Sequence, residues 1–341
     1  MENAPLLPRR DPLDQVPILI LFPHERCNCR CLMCDIWKTT GRNQLSPDEV
    51  RSWSAEWRRL GVRRVVLSGG EPLLHPGFVP VCEALKDAGV RTTLLSTGLL
   101  LERKASDVAR LVDDVIVSLD GPREIHDAIR RVPGAFDRLA GGVSALASAA
   151  PSLPVSARST VQRANALHLR ETVASARAIG LRGISFLAAD VSPGAFGRGE
   201  PWSEADASPI APGPEDLPSL AAELDALERD CAAELRSGFI VEPIARLRTR
   251  ILGHFAAHAG RGEFAPITCN APWVSAVIEA DGTVRPCFFH PPFGNLRTAG
   301  SLSAVLNSPG ALAFRASLDV GTNAVCRRCV CNLNLREGDV S

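Results

Sequence analysis

The chain has 341 residues, 45% of them hydrophobic, which is enough to bury the core of one large domain or of one domain with an appendage. Its 38 basic and 38 acidic side chains cancel, so it lacks the basic surplus of a nucleic-acid binder, and no run of about eighteen apolar residues offers a membrane span. The N-terminus, MENAPLLPRRDPLDQVP, has no apolar stretch of a secretory signal; a cytoplasmic protein is expected, in which eleven cysteines point to metal ligation or catalysis rather than disulfides.

From residue 18 to about 190, β-rich runs alternate with helical patterns. The strands are expected at 18–22, 64–70, 91–98, 114–120, 154–161 and 183–189, and the helices near 46–60, 76–88, 102–112, 134–149 and 167–180. Ser46 with Pro47 behind it predicts a capped helix start, and Gly61, Gly89 and Gly180 suit helix C-termini. Nearly all-apolar strands spaced by helices argue for an α/β fold with a parallel sheet. Periodicity does not decide between an open doubly wound sheet and a barrel. Polar, glycine-rich residues gather after the strand ends, at 23–35, 68–72, 96–98 and 118–121, where (β/α) barrels build their sites. Residues 190–216 are rich in Pro, Gly and Ser and predict a linker or lid, with Asp190, Phe196 and Arg198 as candidate specificity residues. Helical patterns follow at 216–236 and 243–258, then a hairpin turning at Asp281-Gly282 and a short helix near 301–316.

Nine cysteines fall into two groups, while Cys82 and Cys231 sit alone in helical patterns as core residues. Cys27, Cys31 and Cys34 stand at C-x3-C-x2-C on the loop after the first strand. Three thiolates wrapped by one loop suit an iron–sulfur cluster, which usually takes four ligands; the fourth iron is left for an exogenous group. Zinc would ask for a second cysteine pair soon after, and none lies between Cys34 and Cys82. A redox pair involving Cys29 stays open, Cys29 otherwise being a spare thiol. In the second group Cys269 and Cys287 flank the hairpin and Cys326, Cys329 and Cys331 close the chain. Spacing alone leaves a structural zinc and a cluster equally open there.

The first cysteine motif, SGGEP at 68–72 and VSLDGPREIHDAIRRVPGAF at 117–136 fall in order at successive strand ends. Together they resemble the radical S-adenosylmethionine (SAM) superfamily, in the branch with a cysteine-rich C-terminal extension. The resemblance implies a partial (β/α)6 TIM-like barrel carrying a 4Fe–4S cluster whose open iron binds SAM. It implies that Gly69, Gly70, Glu71 and Pro72 cradle the methionine amino group, and makes Ser118 and Asp120 candidates for ribose or carboxylate contacts and Arg158 a candidate partner of the SAM carboxylate. Met33 stands where the family often has an aromatic residue near adenine. The C-terminal region, a β-hairpin plus helix, resembles a SPASM or twitch extension. Five cysteines limit it to one auxiliary 4Fe–4S cluster, with Cys269, Cys287, Cys326 and Cys329 as ligands and Cys331 the substitute for either of the last two. The pattern is most similar to the single-cluster twitch of aminoglycoside-pathway dehydrogenases, and also to peptide maturases.

These resemblances divide the chain into an N-terminal segment (1–17), a core barrel (18–190), a linker and helical segment (191–260) and an auxiliary-cluster domain (261–341). They imply hydrogen abstraction by a 5′-deoxyadenosyl radical and an external one-electron donor such as flavodoxin or ferredoxin. The expected outcome is oxidation or bond formation through the auxiliary cluster, the alternative an epimerisation with Cys29 or Cys231 as thiol donor. About seventeen residues before the first strand leave little room for a leader-peptide-binding domain, which keeps a carbohydrate or natural product and a separately delivered peptide equally open as substrates. A non-catalytic zinc protein and a Cys326/Cys329 redox protein are the readings from other classes; the second lacks the expected βαβ setting.

Overall fold

The computed structural model describes residues 5–191 and 194–339; residues 192–193 of the expected linker and the outermost residues of both terminal segments lie outside the described residues. The chain enters through β1 (Ile18–Leu21), and α1 (Pro47–Arg59) leads to β2 (Arg64–Leu67). Then come α2 (Phe78–Asp87), β3 (Arg91–Ser96), α3 (Leu101–Leu111), β4 (Asp114–Ser118), α4 (Arg123–Arg130), α5 (Ala135–Ala149), β5 (Val155–Val161), α6 (Leu169–Ala178) and β6 (Ile184–Ala188). Ser46 does start α1: its hydroxyl accepts from the Glu49 N–H at 3.1 Å and the Glu49 carboxylate accepts from the Ser46 N–H at 2.7 Å, a reciprocal capping box.

β1 to β6 pair in parallel and in sequence order. A doubly wound sheet reverses its strand order at a switch point; this one does not, and right-handed crossovers then put every helix on one face. The result is an arc of barrel that does not close. Burial alternates along β2 and β4, Val65, Leu67, Val115 and Val117 pointing to the helices and their neighbours to the lumen. The helix side forms the main core, where Trp57, Leu85, Leu101 and Leu139 are fully buried. Each such side chain contributes about 1.5–3 kcal/mol.

The sheet continues past β1 in a way the strand pattern did not announce. β7 (Ser275–Ile278) lies parallel to β1, pairing Leu21 with Ile278, and β8 (Thr283–Arg285) and β9 (Gly294–Asn295) follow antiparallel. The hairpin turns at Asp281-Gly282 as expected. The expected single helix near 301–316 is two, Leu302–Leu306 and Pro309–Ser317, because Pro309 cannot continue the first and Ser308 caps the second. Glu56 of α1 caps the first of them, accepting from the N–H groups of Leu302 (2.7 Å) and Ser303 (3.1 Å), and Glu49 pairs with Arg297 at 2.6 Å. α1 is thereby docked against the C-terminal region. Among the described residues no helix is long and apolar enough to cross a membrane.

Candidate functional site

The loop leaving β1 is held by backbone bonds on three sides. Arg30 and Leu32 donate to the carbonyls of Arg130 and Ile129 at the end of α4 (3.1 and 3.0 Å), Asp35 donates to the Phe196 carbonyl (2.9 Å), and Leu45 donates to Pro23 (2.8 Å). Cys29 and Cys31 are buried, Cys27 and Cys34 half-buried. They belong to a small hydrophobic cluster of their own with Met33, Leu99, Ile129 and Val191. Burial pushes the Cys27 thiol up to about 12 and the Cys34 thiol up to about 11. Cys31 moves the other way, held low by a hydrogen bond from Cys29 and by the Arg130 guanidinium.

The SGGEP turn clamps this loop. Gly70 lies so close that a Cβ there would sit 2.0 Å from the Arg26 carbonyl oxygen, and Glu71 N–H donates to the same oxygen at 2.9 Å. Gly69 has φ +93° with the Phe22 ring against it, so neither position accepts another residue. Glycine is thus required by the chain's own backbone. The Glu71 carboxylate, fully buried, accepts from Leu73 N–H (3.1 Å), Thr97 N–H (2.6 Å), the Thr97 hydroxyl (2.7 Å) and the Ser96 hydroxyl (3.0 Å). Burial pushes its pKa up, and these donors oppose the shift. Its backbone carbonyl receives His24 Nε2 at 2.7 Å. Pro72 opens the short helical turn that follows, Pro72–Leu74.

Ser118, at the end of β4, is level with Arg158 on β5 and, beyond it, Ser185 on β6. Arg158 is exposed, with Nε 3.3 Å from the Ser185 hydroxyl. Asp120 differs: its carboxylate is wholly buried, ion-paired with Arg130 and accepting from Thr160 N–H at 2.9 Å. Met33 is buried, with Gln162 Nε2 3.5 Å from its sulfur. Among the described residues, Asn28 Nδ2, Ser159 Oγ and Gln162 Oε1 are buried polar atoms without a partner. The 194–202 part of the expected linker folds over the cysteine loop. Phe196, at φ +56°, offers its carbonyl to Asp35; Arg198 donates to the carbonyls of Asp190 (2.8 Å) and Met33 (3.4 Å) and lies 4.4 Å over the Trp202 ring. Trp202 Nε1 donates to Asp35 at 3.0 Å. Trp202 carried no sequence signal beyond its size, and Arg130 stood unremarked inside a recognised motif.

All five C-terminal cysteines, Cys269, Cys287, Cys326, Cys329 and Cys331, line one cavity, and His290 lines it too, its Nε2 3.3 Å from the Cys326 sulfur. A histidine three residues after Cys287 was the available sign of it. Burial pushes Cys287 up to about 11 and Cys326 and Cys331 up to about 12. Burial dominates the Cys331 shift, with Arg158 opposing it and Asp190 adding to it. Phe288 stacks on Phe22 (6.0 Å, 18°), and Phe289 meets Phe196 edge-on at 5.8 Å, so aromatic rings bridge the two cysteine regions. Arg250 donates to the Cys329 carbonyl at 3.0 Å.

Residues 21–162 match the model of the radical SAM superfamily, and residues 269–330 match SPASM, an iron–sulfur cluster-binding domain. The chain carries a radical SAM domain and, behind it, a SPASM domain. Relatives include an AdoMet-dependent heme synthase of Methanosarcina barkeri, 32% identical over 45% of each chain. A GTP 3′,8-cyclase of Heliobacterium modesticaldum is 37% identical over 37% of this chain and 40% of its own. The matches span less than half of either relative. Among solved structures, anSMEcpe with bound AdoMet superposes with TM-score 0.67 at 17% identity, covering 93% of this chain and 89% of its own. Streptococcus suis SuiB bound to S-adenosylmethionine gives 0.63 at 13%, over 94% and 73%. These two establish the fold, a partial TIM-like barrel. The cofactors of a radical SAM and SPASM protein are SAM, the 4Fe–4S cluster that binds it, and auxiliary 4Fe–4S chemistry. The chain's residues fit them: thiol donors in apolar surroundings at both centres, and unpartnered buried polar atoms beside the first.

Proposed function

We propose that this radical SAM enzyme is an oxidoreductase or maturase that takes hydrogen from a substrate seated between its two cysteine centres. The observation that carries this reading is the five-cysteine cavity whose lining rings Phe288 and Phe289 pack against Phe22 and Phe196 of the first cysteine region. When bound, the SAM cluster and SAM supply a 5′-deoxyadenosyl radical, and the auxiliary cluster supplies an electron acceptor. Cys27, Cys31 and Cys34 hold the first cluster, and the Gly69–Pro72 turn fixes that loop and presents backbone to the methionine end of SAM. Ser118 and Arg158 face SAM or substrate from the lumen. Cys269, Cys287, Cys326 and Cys329 hold the second cluster, with Cys331 next to them. The strap through Phe196, Arg198 and Trp202 keeps water from the first centre. On this reading residues 18–190 form the barrel, 191–260 a connecting segment and 261–341 the auxiliary-cluster domain.

The substrate is a peptide or a small natural product, and an external one-electron carrier of the flavodoxin or ferredoxin class drives the cycle. Support for a peptide comes from the fold: solved neighbours include SuiB bound to precursor peptide SuiA and anSMEcpe with AdoMet and a Cp18Cys peptide. The deciding experiment is iron and sulfide analysis with EPR on anaerobically reconstituted protein, with and without SAM. About eight irons per chain and a signal that shifts with SAM are expected; about four with the shift would remove the auxiliary cluster, and zinc without iron would end the enzyme reading.

A further inference from the structure

We propose that Arg130 is a positioning residue that sets the reduction potential of the SAM-binding cluster, its buried guanidinium held against Cys31 by Asp120. This rests on Cys31 being a ligand of that cluster. Arg130 is the last residue of α4 and is 7% exposed. Nη1 lies 3.4 Å from the Cys31 sulfur, and Nη2 pairs with the Asp120 carboxylate, which is itself 0% exposed. The backbone adds rigidity, since the carbonyls of Ile129 and Arg130 accept from Leu32 and Arg30 on the cysteine loop. Helix end, guanidinium and thiol therefore move as one unit.

A buried guanidinium needs compensating charge, and one aspartate already supplies it. A helix end that only had to pack against a loop would not need the pair at all. What the pair adds is a cation aimed at a sulfur from a dry, low-dielectric side. When an external one-electron carrier passes an electron to the cluster, negative charge grows on the cluster and its thiolates; no proton or bond change accompanies this step. A fixed cation and an N–H···S hydrogen bond stabilise the more negative state and so raise the potential. Asp120 works against the cation at longer range while fixing its aim. The two residues therefore have opposite electrostatic signs on the same sulfur, although losing either one would loosen the packing.

That opposition is the test. Full-length protein is reconstituted anaerobically as wild type, Arg130→Gln, Arg130→Lys and Asp120→Asn, and only the EPR signal that responds to SAM is titrated against potential. Arg130→Gln should lower the reduced-to-oxidised ratio at fixed potential by about ten-fold, about 59 mV for a one-electron couple. Asp120→Asn should shift it the other way, and Arg130→Lys should stay near wild type. Shifts of the same sign in Gln and Asn variants, or no shift in either, overturn the proposal and leave a packing role. If the Gln variant binds no iron, Asp120→Asn alone decides: a higher potential supports the proposal and an unchanged or lower one refutes it. A wild-type protein that holds iron but shows no SAM-responsive signal instead overturns the assignment of Cys31, and this inference with it.

Discussion

The two cysteine regions are built on opposite plans. The first places its thiols on a single loop, sewn to α4, to the strap and to the SGGEP turn, with an ion pair, Arg130–Asp120, buried behind it. The second gathers five thiols from three separate stretches of chain around one cavity, with His290 and Arg250 at its edges. A loop can supply three ligands at close spacing and leave room beside them for a bound molecule. Distant segments that line one cavity can surround what they bind. On the function proposed above, the first centre keeps one iron for SAM and the second fills its cluster with protein thiols.

The largest effect expected from this contrast is at the first centre. Replacing Cys31 by Ala should remove about four irons per chain and abolish 5′-deoxyadenosine formation, measured by iron assay and chromatography. If iron stays complete, the loop is not the ligand set. Cys326→Ala and Cys329→Ala should also cost about four irons each but leave SAM cleavage measurable, uncoupled from substrate oxidation. Cys331→Ala should keep its iron, and an equal loss there would exchange it with one of the quartet.

Acid should act through buried histidines. Burial pushes His126, behind the first centre, and His254, near the second, each down to about 3. Both are neutral when folded, whereas the unfolded chain takes up protons below its ordinary value of 6.5. Their stability contribution is therefore complete above pH 6.5 and drains as pH falls toward 3, by about 2 kcal/mol each between pH 6.5 and 5. Thermal melts across that window should show the decline, and His254→Phe should flatten it; an unchanged slope would mean that the ring is already charged when folded. The smallest effect expected is at the junction of the two regions. Glu56→Ala removes the α1 carboxylate that accepts from the first N–H groups of the Leu302–Leu306 helix, leaving the Ser301 cap, and should lower stability by about 1 kcal/mol in denaturant titrations, with iron content unchanged.

Much of this was legible in the chain itself. The six parallel strands follow from apolar runs of strand length between amphipathic helices, and the capped start of α1 from Ser46 and Pro47. α4 was not read as a helix: Arg123–Arg130 is short and lies within a motif quoted for its chemistry. The helix near 301–316 was read as one because its apolar period runs through Pro309.

Local sequence determined the elements, the two cysteine groups and the glycine turn, because hydrophobic period, capping chemistry and ligand spacing act over a few residues. Only tertiary structure decided that β7 lies along β1, that Asp120 turns toward Arg130, that the strap covers the cysteine loop, and that five thiols share one cavity with His290. Each of these joins residues far apart in the chain, and such contacts are set by which surfaces remain to be buried once the local elements have formed.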